Sequence, residues 1–389
     1  MLSSTLLRSA VIALATLCLV GPGSVREAAA AGAKVHKVEK GHSLWGIAKR
    51  YGVTVAALRD KNSLEEGDPI KPGQQLEIPG KNEKSGKSRK RSGSGKEARI
   101  KKPGASTQTQ KSAKERGINP CNTPDPGYGI YDRWSRAPSM GQMIMPQKGG
   151  TSPSGRFDVM FHFHGHEPIR KEWVQVMDGA VLVGIDLGLG SGPYGTAFQS
   201  PKAFERLVES VEKAVATKTG KKRARVRHVG LSAWSAGYGA VQEIISQPYG
   251  HKLVDTVVLL DGLHSGYSGN TLNETQLKPF IDWTRESVRG KKFLFVSHSS
   301  IIPPGYASTT ETANFLIQKM GGKARKTTPR GSDPMGLDLI SRYSRGNFHV
   351  RGYNGNDKMD HCAHIGLYRD VLKVHVKRRW NSPRGYGKK

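Results

Sequence analysis

Apolar residues recur at two spacings along the C-terminal two thirds of the chain. Mostly apolar or alternating runs, typical of strands, cover 157–164, 180–186, 225–231, 254–260, 293–297 and 348–353. Helical spacing follows in 201–216, 236–246, 279–288, 310–320 and 365–377. Strands that alternate with helices are typical of a parallel sheet covered on both faces. The sequence therefore predicts an α/β domain over 117–389, with a mainly parallel sheet flanked by helices.

A second, smaller pattern fills residues 34–80. Residues 35–38 and 74–79 read as short strands. Between them, apolar residues at helical spacing predict one helix from Leu44 to Tyr51, which Gly52 ends, and a second helix after Thr54. The order strand, helix, helix, strand predicts a module with a small core of its own.

The first 33 residues carry the pattern of an export signal. Arg8 precedes an apolar run over 9–20, and small residues follow at 28–33. A run of 12 residues is short for a membrane span, which takes about 20. We expect cleavage between Ala30 and Lys34, and a mature protein that is periplasmic or secreted and has no transmembrane span. An uncleaved N-terminal anchor is the alternative.

Charge separates the two patterns. The chain carries 61 Lys plus Arg against 32 Asp plus Glu, a net charge of +29. Residues 81–116 hold thirteen basic and three acidic side chains, and Ile100 is their only large apolar residue. Such a segment cannot build a core, so we expect a basic disordered linker that contacts anionic polymers of the cell envelope. Nucleic acid is not expected, because no aromatic side chain interleaves for base stacking.

The residues of the small module resemble the LysM (lysin motif) family. The resemblance rests on 41–48, 51–54, Leu58, Asn62 and 71–79. It implies binding of peptidoglycan or another N-acetylglucosamine-containing glycan in a groove between the strand-to-helix loops. Carried over, the groove residues are Gly41, His42, Ser43, Leu44, Ile70, Lys71, Pro72 and Gly73. His42 departs from the acidic residue that the family usually has, which puts the affinity in doubt rather than the fold.

A nucleophile motif lies within the large domain. The pentapeptide Ala233-Trp234-Ser235-Ala236-Gly237 follows a predicted strand and opens a predicted helix. A nucleophile elbow requires small residues two positions before and after the serine, because the sharp turn brings backbones together. Ala233 and Gly237 meet that requirement, which makes Ser235 the candidate nucleophile.

With this elbow, residues 155–380 resemble the α/β-hydrolase superfamily. The resemblance implies a triad in the order serine, acid, histidine, with no cofactor, and hydrolysis of an ester or amide. Asp261, which follows the next strand, is the preferred acid, and Asp186 is the reserve. His364 is the preferred base because it directly precedes the last predicted helix, and His361 is the alternative. The oxyanion hole would use the backbone N–H of Ala236 and one from the Gly165–His166 turn.

Metal chemistry is the competing interpretation of the histidines. His162, His164 and His166 alternate, and His-x-His patterns bind zinc. The aspartate that a metallo-β-lactamase pattern requires is replaced by His166, so we predict no metal site.

Three cysteines are too few for a disulfide scaffold. After loss of Cys18 with the signal, Cys121 and Cys362 form the remaining pair, and the exported compartment permits a disulfide between them.

The sequence thus predicts a cell-wall-binding serine hydrolase of unresolved substrate. Peptidoglycan O-acetyl groups, peptide stems, lipids and storage polyesters are all possible substrates. The alternative is a non-catalytic peptidoglycan-binding protein with a remnant hydrolase fold.

Overall fold

The computed structural model falls into two compact units, one within residues 1–91 and one within 92–389. It describes residues 34–39, 44–53, 55–64, 70, 73–80, 111, 113–115, 117, 119–303, 305–328, 335–355 and 357–381. The predicted export signal and most of the predicted linker lie outside these residues.

The N-terminal unit has the order that the sequence predicts. Its elements are β1 (Lys34–Lys37), α1 (Leu44–Tyr51), α2 (Val55–Lys61) and β2 (Gln75–Ile78). The two strands pair antiparallel, with Lys34 opposite Ile78. The small core between strands and helices consists of Val38, Leu44, Ile47, Ala48, Leu58, Leu76 and Ile78.

Asn62 joins α2 to β2 in this unit. Its side-chain amide donates to the backbone oxygens of Leu58 at 2.7 Å and Glu77 at 2.8 Å. Its Oδ1 accepts from the N–H of Glu77 at 2.7 Å. Because one side chain meets three backbone groups, the asparagine fixes the approach of the closing strand to the second helix.

The C-terminal unit contains a ten-stranded sheet flanked by helices. The strands are β3 (Ser135–Arg136), β4 (Gln142–Ile144), β5 (Arg156–Phe163), β6 (Ala180–Ile185), β7 (Arg225–Trp234), β8 (Thr256–Leu260), β11 (Phe293–His298), β12 (Arg325–Lys326), β13 (Asp338–Arg345) and β14 (Phe348–Asn354), and a separate hairpin holds β9 (Tyr267–Ser268) and β10 (Thr271–Leu272).

The helices are α3 (His166–Trp173), α4 (Gly192–Phe198), α5 (Pro201–Thr219), α6 (Tyr238–Ser246), α7 (Pro248–Leu253), α8 (Glu274–Val288), α9 (Thr309–Lys319), α10 (Lys358–Ala363), α11 (Leu367–Val371) and α12 (Lys377–Trp380). A 3₁₀ turn at Ser235–Gly237 precedes α6, another at His364–Gly366 follows α10, and a π-helical segment at Leu372–Val376 joins α11 to α12.

The sheet order is β12-β13-β14-β11-β8-β7-β5-β6-β4-β3. Its six central strands, from β14 to β6, run parallel, and the two strands at each edge are antiparallel. Successive residues of β8 face opposite sides, so that Val257 and Leu259 lie in one core and Val258 and Leu260 in the other. The predicted α/β class, with a mainly parallel sheet covered on both faces, is confirmed.

Strand β13 and the end of the predicted linker are two of several places where the structure departs from the sequence analysis. Strand β13 lies in a region where periodicity predicts no element, because it is a largely exposed strand of mixed polarity. At the end of the predicted linker, Lys111 and residues 113–115 are helical and Ala113 is buried.

Among the residues that the structure describes, no helix is long and apolar enough to cross a membrane.

Candidate active site

Backbone strain marks one edge of the central sheet. Four non-glycine residues in the described part of the chain have a positive φ, and three of them directly follow parallel strands: His164 after β5, Ser235 after β7 and Asp261 after β8. Strained backbone of this kind concentrates at functional sites, where the surrounding packing holds it in place. The carboxyl edge of the sheet is therefore the candidate active site.

The turn at Ser235 is packed too closely for larger neighbours. A Cβ atom on Gly237 would lie 2.1 Å from the carbonyl oxygen of Phe163. A Cβ on Gly262 would lie 2.4 Å from the carbonyl oxygen of Ser235 and 2.8 Å from its nitrogen. These close approaches explain the small residues in the motif, and they place the residue after Asp261 directly against the serine backbone.

Asp261 is buried, with hydrogen bonds to both carboxylate oxygens. Oδ1 accepts from Thr309 Oγ1 at 2.6 Å and from the N–H of Ser299 at 2.8 Å, and Oδ2 accepts from His361 Nδ1 at 2.7 Å. Burial acts to raise the pKa of Asp261, but the neighbouring imidazoles of His364 and His361 and these hydrogen bonds hold it well below its usual range. The carboxylate is therefore ionised and fixed in orientation.

His361 is the histidine that contacts this carboxylate. Because an ionised carboxylate only accepts, Nδ1 of His361 carries the proton, and its Nε2 has a free lone pair when the ring is neutral. The side chain is 24 % exposed, against 2 % for Asp261. The pair thus has a buried acid and a base that reaches solvent.

Trp234 ties this pair to the nucleophile. Its Nε1 donates to the backbone oxygen of His361 at 3.0 Å, and its ring lies 4.8 Å from the His361 ring. The indole also stacks on His164, with ring centroids 5.2 Å apart. Since Trp234 is the residue before Ser235 and Gly262 contacts the Ser235 backbone, serine, aspartate and His361 belong to one cluster.

His364 occupies a different environment from the one that the sequence analysis favours. It is fully buried, and its Nδ1 lies 2.9 Å from Ser297 Oγ, while its Nε2 has no hydrogen-bond partner among the described residues. Burial lowers the pKa of His364 to about 4. The geometry therefore favours His361 over His364 as the base, because His361 is the ring that bonds to Asp261, whereas His364 is buried against Ser297.

The Gly165–His166 turn also differs from its expected role. The N–H of Gly165 donates to Asp186 Oδ1 at 2.6 Å, and that of His166 lies 3.4 Å from Oδ2 of the same carboxylate. His166 Nδ1 also contacts Asp186. In this structure both backbone donors therefore serve Asp186. The oxyanion role of the Ala236 N–H, at the start of the turn before α6, stays a prediction.

Asp186, the reserve acid, caps helix α3 rather than joining the serine cluster. Burial acts to raise its pKa, but the hydrogen bond and charge of His166 and the Gly165 N–H lower it to about 2. The pKa of His166 is raised by the same contact.

The alternating histidines do not converge. His162 Nδ1 lies 2.9 Å from Ser232 Oγ, and His164 Nδ1 lies 2.9 Å from Tyr194 Oη. His166 faces Asp186. Within the described residues, no group of three or more His, Cys, Asp or Glu side chains is placed to hold a metal ion.

Cys121 and Cys362 are joined by a disulfide, with Cα atoms 4.9 Å apart. Cys362 follows His361 in α10, so the bond ties the N-terminal segment of the large unit to the helix that carries the candidate base.

The glycan groove lies mostly outside the described residues, which include neither Gly41, His42 and Ser43 nor Lys71 and Pro72. Of the other three, Leu44 is buried in the small core and Ile70 packs partly against it. Gly73 is exposed at a φ of 90°. Leu44 therefore stabilises the core of the module, Ile70 is half-buried against that core, and the glycan-binding role of both stays a prediction.

Comparison with known proteins identifies the small unit. The family model described as LysM domain matches residues 36–79. These residues form a LysM domain. The spore coat assembly protein ExsA of Bacillus cereus is 45 % identical over 49 residues, which make up 12 % of this chain and 8 % of that protein. The chain therefore spans less than a tenth of the length of this curated relative.

Several solved structures overlap the large unit at low identity. The poly(3-hydroxybutyrate) depolymerase LpqC of Bordetella parapertussis is 13 % identical, with 70 % of this chain and 95 % of that chain covered and a TM-score of 0.36. The Thermogutta terrifontis esterase Est2 is 14 % identical, with 67 % and 97 % covered and a TM-score of 0.36. The acylaminoacyl peptidase of Pyrococcus horikoshii is 12 % identical, with 63 % and 42 % covered and a TM-score of 0.35.

The groups that hold Asp261 were not predicted from the sequence. Ser299, just beyond β11, supplies a backbone donor, and Thr309 supplies a hydroxyl. The signal for Thr309 was the N-terminus of α9, where Ser308 and Glu311 form a capping box.

Proposed function

We propose that the protein is an exported serine hydrolase that cleaves an ester or amide and is held at peptidoglycan by its LysM domain. The observation that carries the proposal is the buried, ionised Asp261 hydrogen-bonded to the partly exposed His361, next to a strained serine turn.

In the proposed mechanism, Ser235 Oγ attacks the carbonyl carbon of the substrate while His361 Nε2 takes its proton. Asp261 keeps the other ring nitrogen protonated and stabilises the imidazolium that forms. The imidazolium then gives the proton to the leaving alcohol or amine, whose bond to the acyl carbon breaks. A water molecule, deprotonated by His361, releases the acyl group and restores the serine.

Negative charge on the carbonyl oxygen requires donors in the transition state. The N–H of Ala236 lies at the N-terminal end of the 3₁₀ turn and of α6, where the helix dipole adds to its effect. A single donor of this kind contributes about 3–4 kcal/mol.

The remaining parts of the proposal concern location. LysM domains bind peptidoglycan and related glycans, so the N-terminal unit would raise the concentration of enzyme at its substrate. We propose an organisation of signal peptide (1–33), LysM module (34–80), basic linker (81–116) and catalytic domain (117–389). The linker charge favours contact with anionic envelope polymers, and the protein would be periplasmic or secreted.

Hydrolysis of 4-nitrophenyl acetate by the full mature chain tests this function. We expect turnover that Ser235→Ala reduces by at least about 10³-fold. The matched control Ser246→Ala, at the exposed end of α6, should retain it. Turnover that survives in Ser235→Ala would contradict the proposal.

One observation favours the alternative, a non-catalytic peptidoglycan-binding protein with a remnant hydrolase fold. Asp186 accepts hydrogen bonds from the two backbone N–H groups that could otherwise complete an oxyanion hole. That alternative predicts no serine-dependent turnover in a protein that folds normally and binds peptidoglycan.

A further inference from the structure

Three chain segments meet around Ser235 at the carboxyl edge of the sheet. We call them the rim: residues 187–200 after β6, 262–273 after β8, and 299–303 with 305–310 after β11. Gly262 contacts the Ser235 backbone, and Ser299 and Thr309 bind Asp261. The first segment approaches through Ser191, whose Oγ accepts from Tyr238 Oη, at the start of α6, at 3.4 Å.

The second and third segments are also joined to each other. The N–H of Ala307 donates to the oxygen of Ser265 at 2.8 Å, and His264 Nδ1 lies 2.9 Å from the oxygen of Ala307. The rim is therefore a connected surface, not a set of separate loops.

The rim contains no Lys, Arg, Asp or Glu, although these residues make up 24 % of the chain. Its polar side chains are hydroxyls, amides and one imidazole. The imidazole belongs to His264, and burial lowers its pKa. Lys358, three residues before the candidate base His361, is the lysine nearest to that base in sequence. It is exposed and lies outside the rim. The rim of this strongly basic protein thus has no charged side chain of its own, although Tyr267 Oη donates to the adjacent carboxylate of Glu311 at 2.8 Å.

Exposed apolar side chains concentrate on the same surface. Seven large apolar residues are exposed in the described part of the chain, and four of them belong to the rim: Leu189 (63 %), Tyr267 (45 %), Ile302 (81 %) and Tyr306 (45 %). Exposed apolar groups gathered around a candidate site indicate a binding surface.

Aromatic rings connect this surface to the nucleophile helix. The His264 ring lies 4.9 Å from the Tyr306 ring and 5.8 Å from the Tyr238 ring, both edge to face. Tyr238 is three residues after Ser235. The Tyr306 ring is therefore held by packing on one side and open on the other, which suits an amphipathic partner such as a sugar ring.

A substrate carboxylate on the rim would lose water without gaining an ionic partner, which is costly. A neutral, hydroxyl-bearing substrate would meet side-chain hydroxyls and amides, with Tyr306 as a flat contact. The LysM domain of the same chain adds a second, independent indication of a glycan.

We propose that the substrate is a neutral O-acyl ester on a glycan, with Tyr306 as a sugar-binding residue. The proposal rests on the proposed serine hydrolase function. Ser235 would take the acyl group and release the sugar hydroxyl, and water would then release the acid. Peptide stems, which present free carboxylates, and long-chain lipids are excluded by this proposal.

Competing esters on the full mature chain test the proposal. The probes are O-acetylated chitotriose, the carboxylate-bearing ester acetyl-D-alanyl-D-lactate, 4-nitrophenyl acetate and 4-nitrophenyl decanoate. We expect kcat/KM for the glycan ester to exceed that for the D-lactate ester by at least about 100-fold. Acetate should be preferred to decanoate among the 4-nitrophenyl esters.

Variants of Tyr306 separate a binding role from a structural one. Tyr306→Ala should raise KM for the glycan ester about 10-fold and lower the ratio of glycan-ester to 4-nitrophenyl acetate turnover. Tyr306→Phe, which keeps the ring, should restore that ratio. The control Ile340→Ala, at an exposed residue of β13, should leave the turnover of both esters unchanged.

The outcomes are distinguishable. Preference for the D-lactate ester or for decanoate, or a Tyr306→Ala ratio equal to that of the wild type, overturns the glycan-ester proposal but leaves a serine hydrolase. Absence of Ser235-dependent turnover of every ester overturns the proposed function, and the inference with it.

Discussion

Substituting the two neighbouring histidines separately should give opposite results. His361→Ala removes the base and leaves Oδ2 of the buried Asp261 without its partner. We expect kcat to fall by about 10³- to 10⁶-fold, the range for loss of a triad member. Leaving this buried carboxylate oxygen unpaired also costs stability, about 1–3 kcal/mol for one lost hydrogen bond to a buried acceptor.

His364→Asn should show the reverse pattern. The His364 ring is fully buried and bound to Ser297, so the smaller side chain leaves a cavity and costs about 1–3 kcal/mol of stability. Since this ring contacts neither Asp261 nor Ser235 by a hydrogen bond, kcat per folded molecule should stay within about tenfold of wild type.

Active-site titration with 4-nitrophenyl acetate, paired with thermal unfolding of each variant, measures both effects. Titration counts competent sites and therefore separates lost chemistry from lost folding. A His364→Asn variant that folds but loses 10³-fold in kcat, beside a His361→Ala variant that keeps activity, would refute the assignment of His361.

Four further outcomes are expected. The pKa of His364 is about 4 in the folded protein against 6.5 in the unfolded chain, so the unfolded state binds more protons between these values. Stability should therefore fall as pH drops from about 6.5 to 4, and His364→Asn should remove up to about 3 kcal/mol of that fall in pH-dependent melting; an unchanged pH profile would argue against the buried neutral ring. Gly262→Ala should reduce kcat at least about 100-fold, because its Cβ would displace the Ser235 backbone; wild-type kinetics would show that the turn tolerates the shift. Replacing Cys121 and Cys362 by Ser should lower the free energy of unfolding by about 2–4 kcal/mol in denaturant titration, and an equal midpoint would contradict that role. Deleting 34–80 should weaken pelleting with insoluble peptidoglycan but leave 4-nitrophenyl acetate turnover nearly unchanged, and a large loss of turnover would show that the LysM unit supports the catalytic domain.

The parallel sheet was predictable because its central strands are buried on both faces and read as apolar runs. The edge strands escaped prediction for the complementary reason. Strand β13 is largely exposed, and its sequence Asp338–Arg345 mixes polar and apolar residues without a clear period. Pairing with β14 stabilises β13 as a strand, although its own residue pattern does not predict one.

The candidate site also combines features that the sequence predicts with features that it does not predict. The spacing of small residues around Ser235 and the position of Asp261 after the next strand are local features, so the sequence carries them. The choice between His361 and His364 depends on where the helix ends and the 3₁₀ turn begins. The two histidines are separated by about one helical turn. The hydrogen bonds from the backbone N–H groups of Gly165 and His166 to Asp186 join residues about twenty positions apart. A short-range sequence pattern does not predict them.

Ser235 as an activated nucleophile is the central requirement of the proposed chemistry. Intact-mass spectrometry of the full mature chain after reaction with a fluorophosphonate measures this directly, with peptide mapping to locate the adduct. We predict one adduct per folded molecule, on Ser235, absent in Ser235→Ala and strongly slowed in His361→Ala. A folded protein that takes up no adduct, or carries it on another residue, would contradict the central claim.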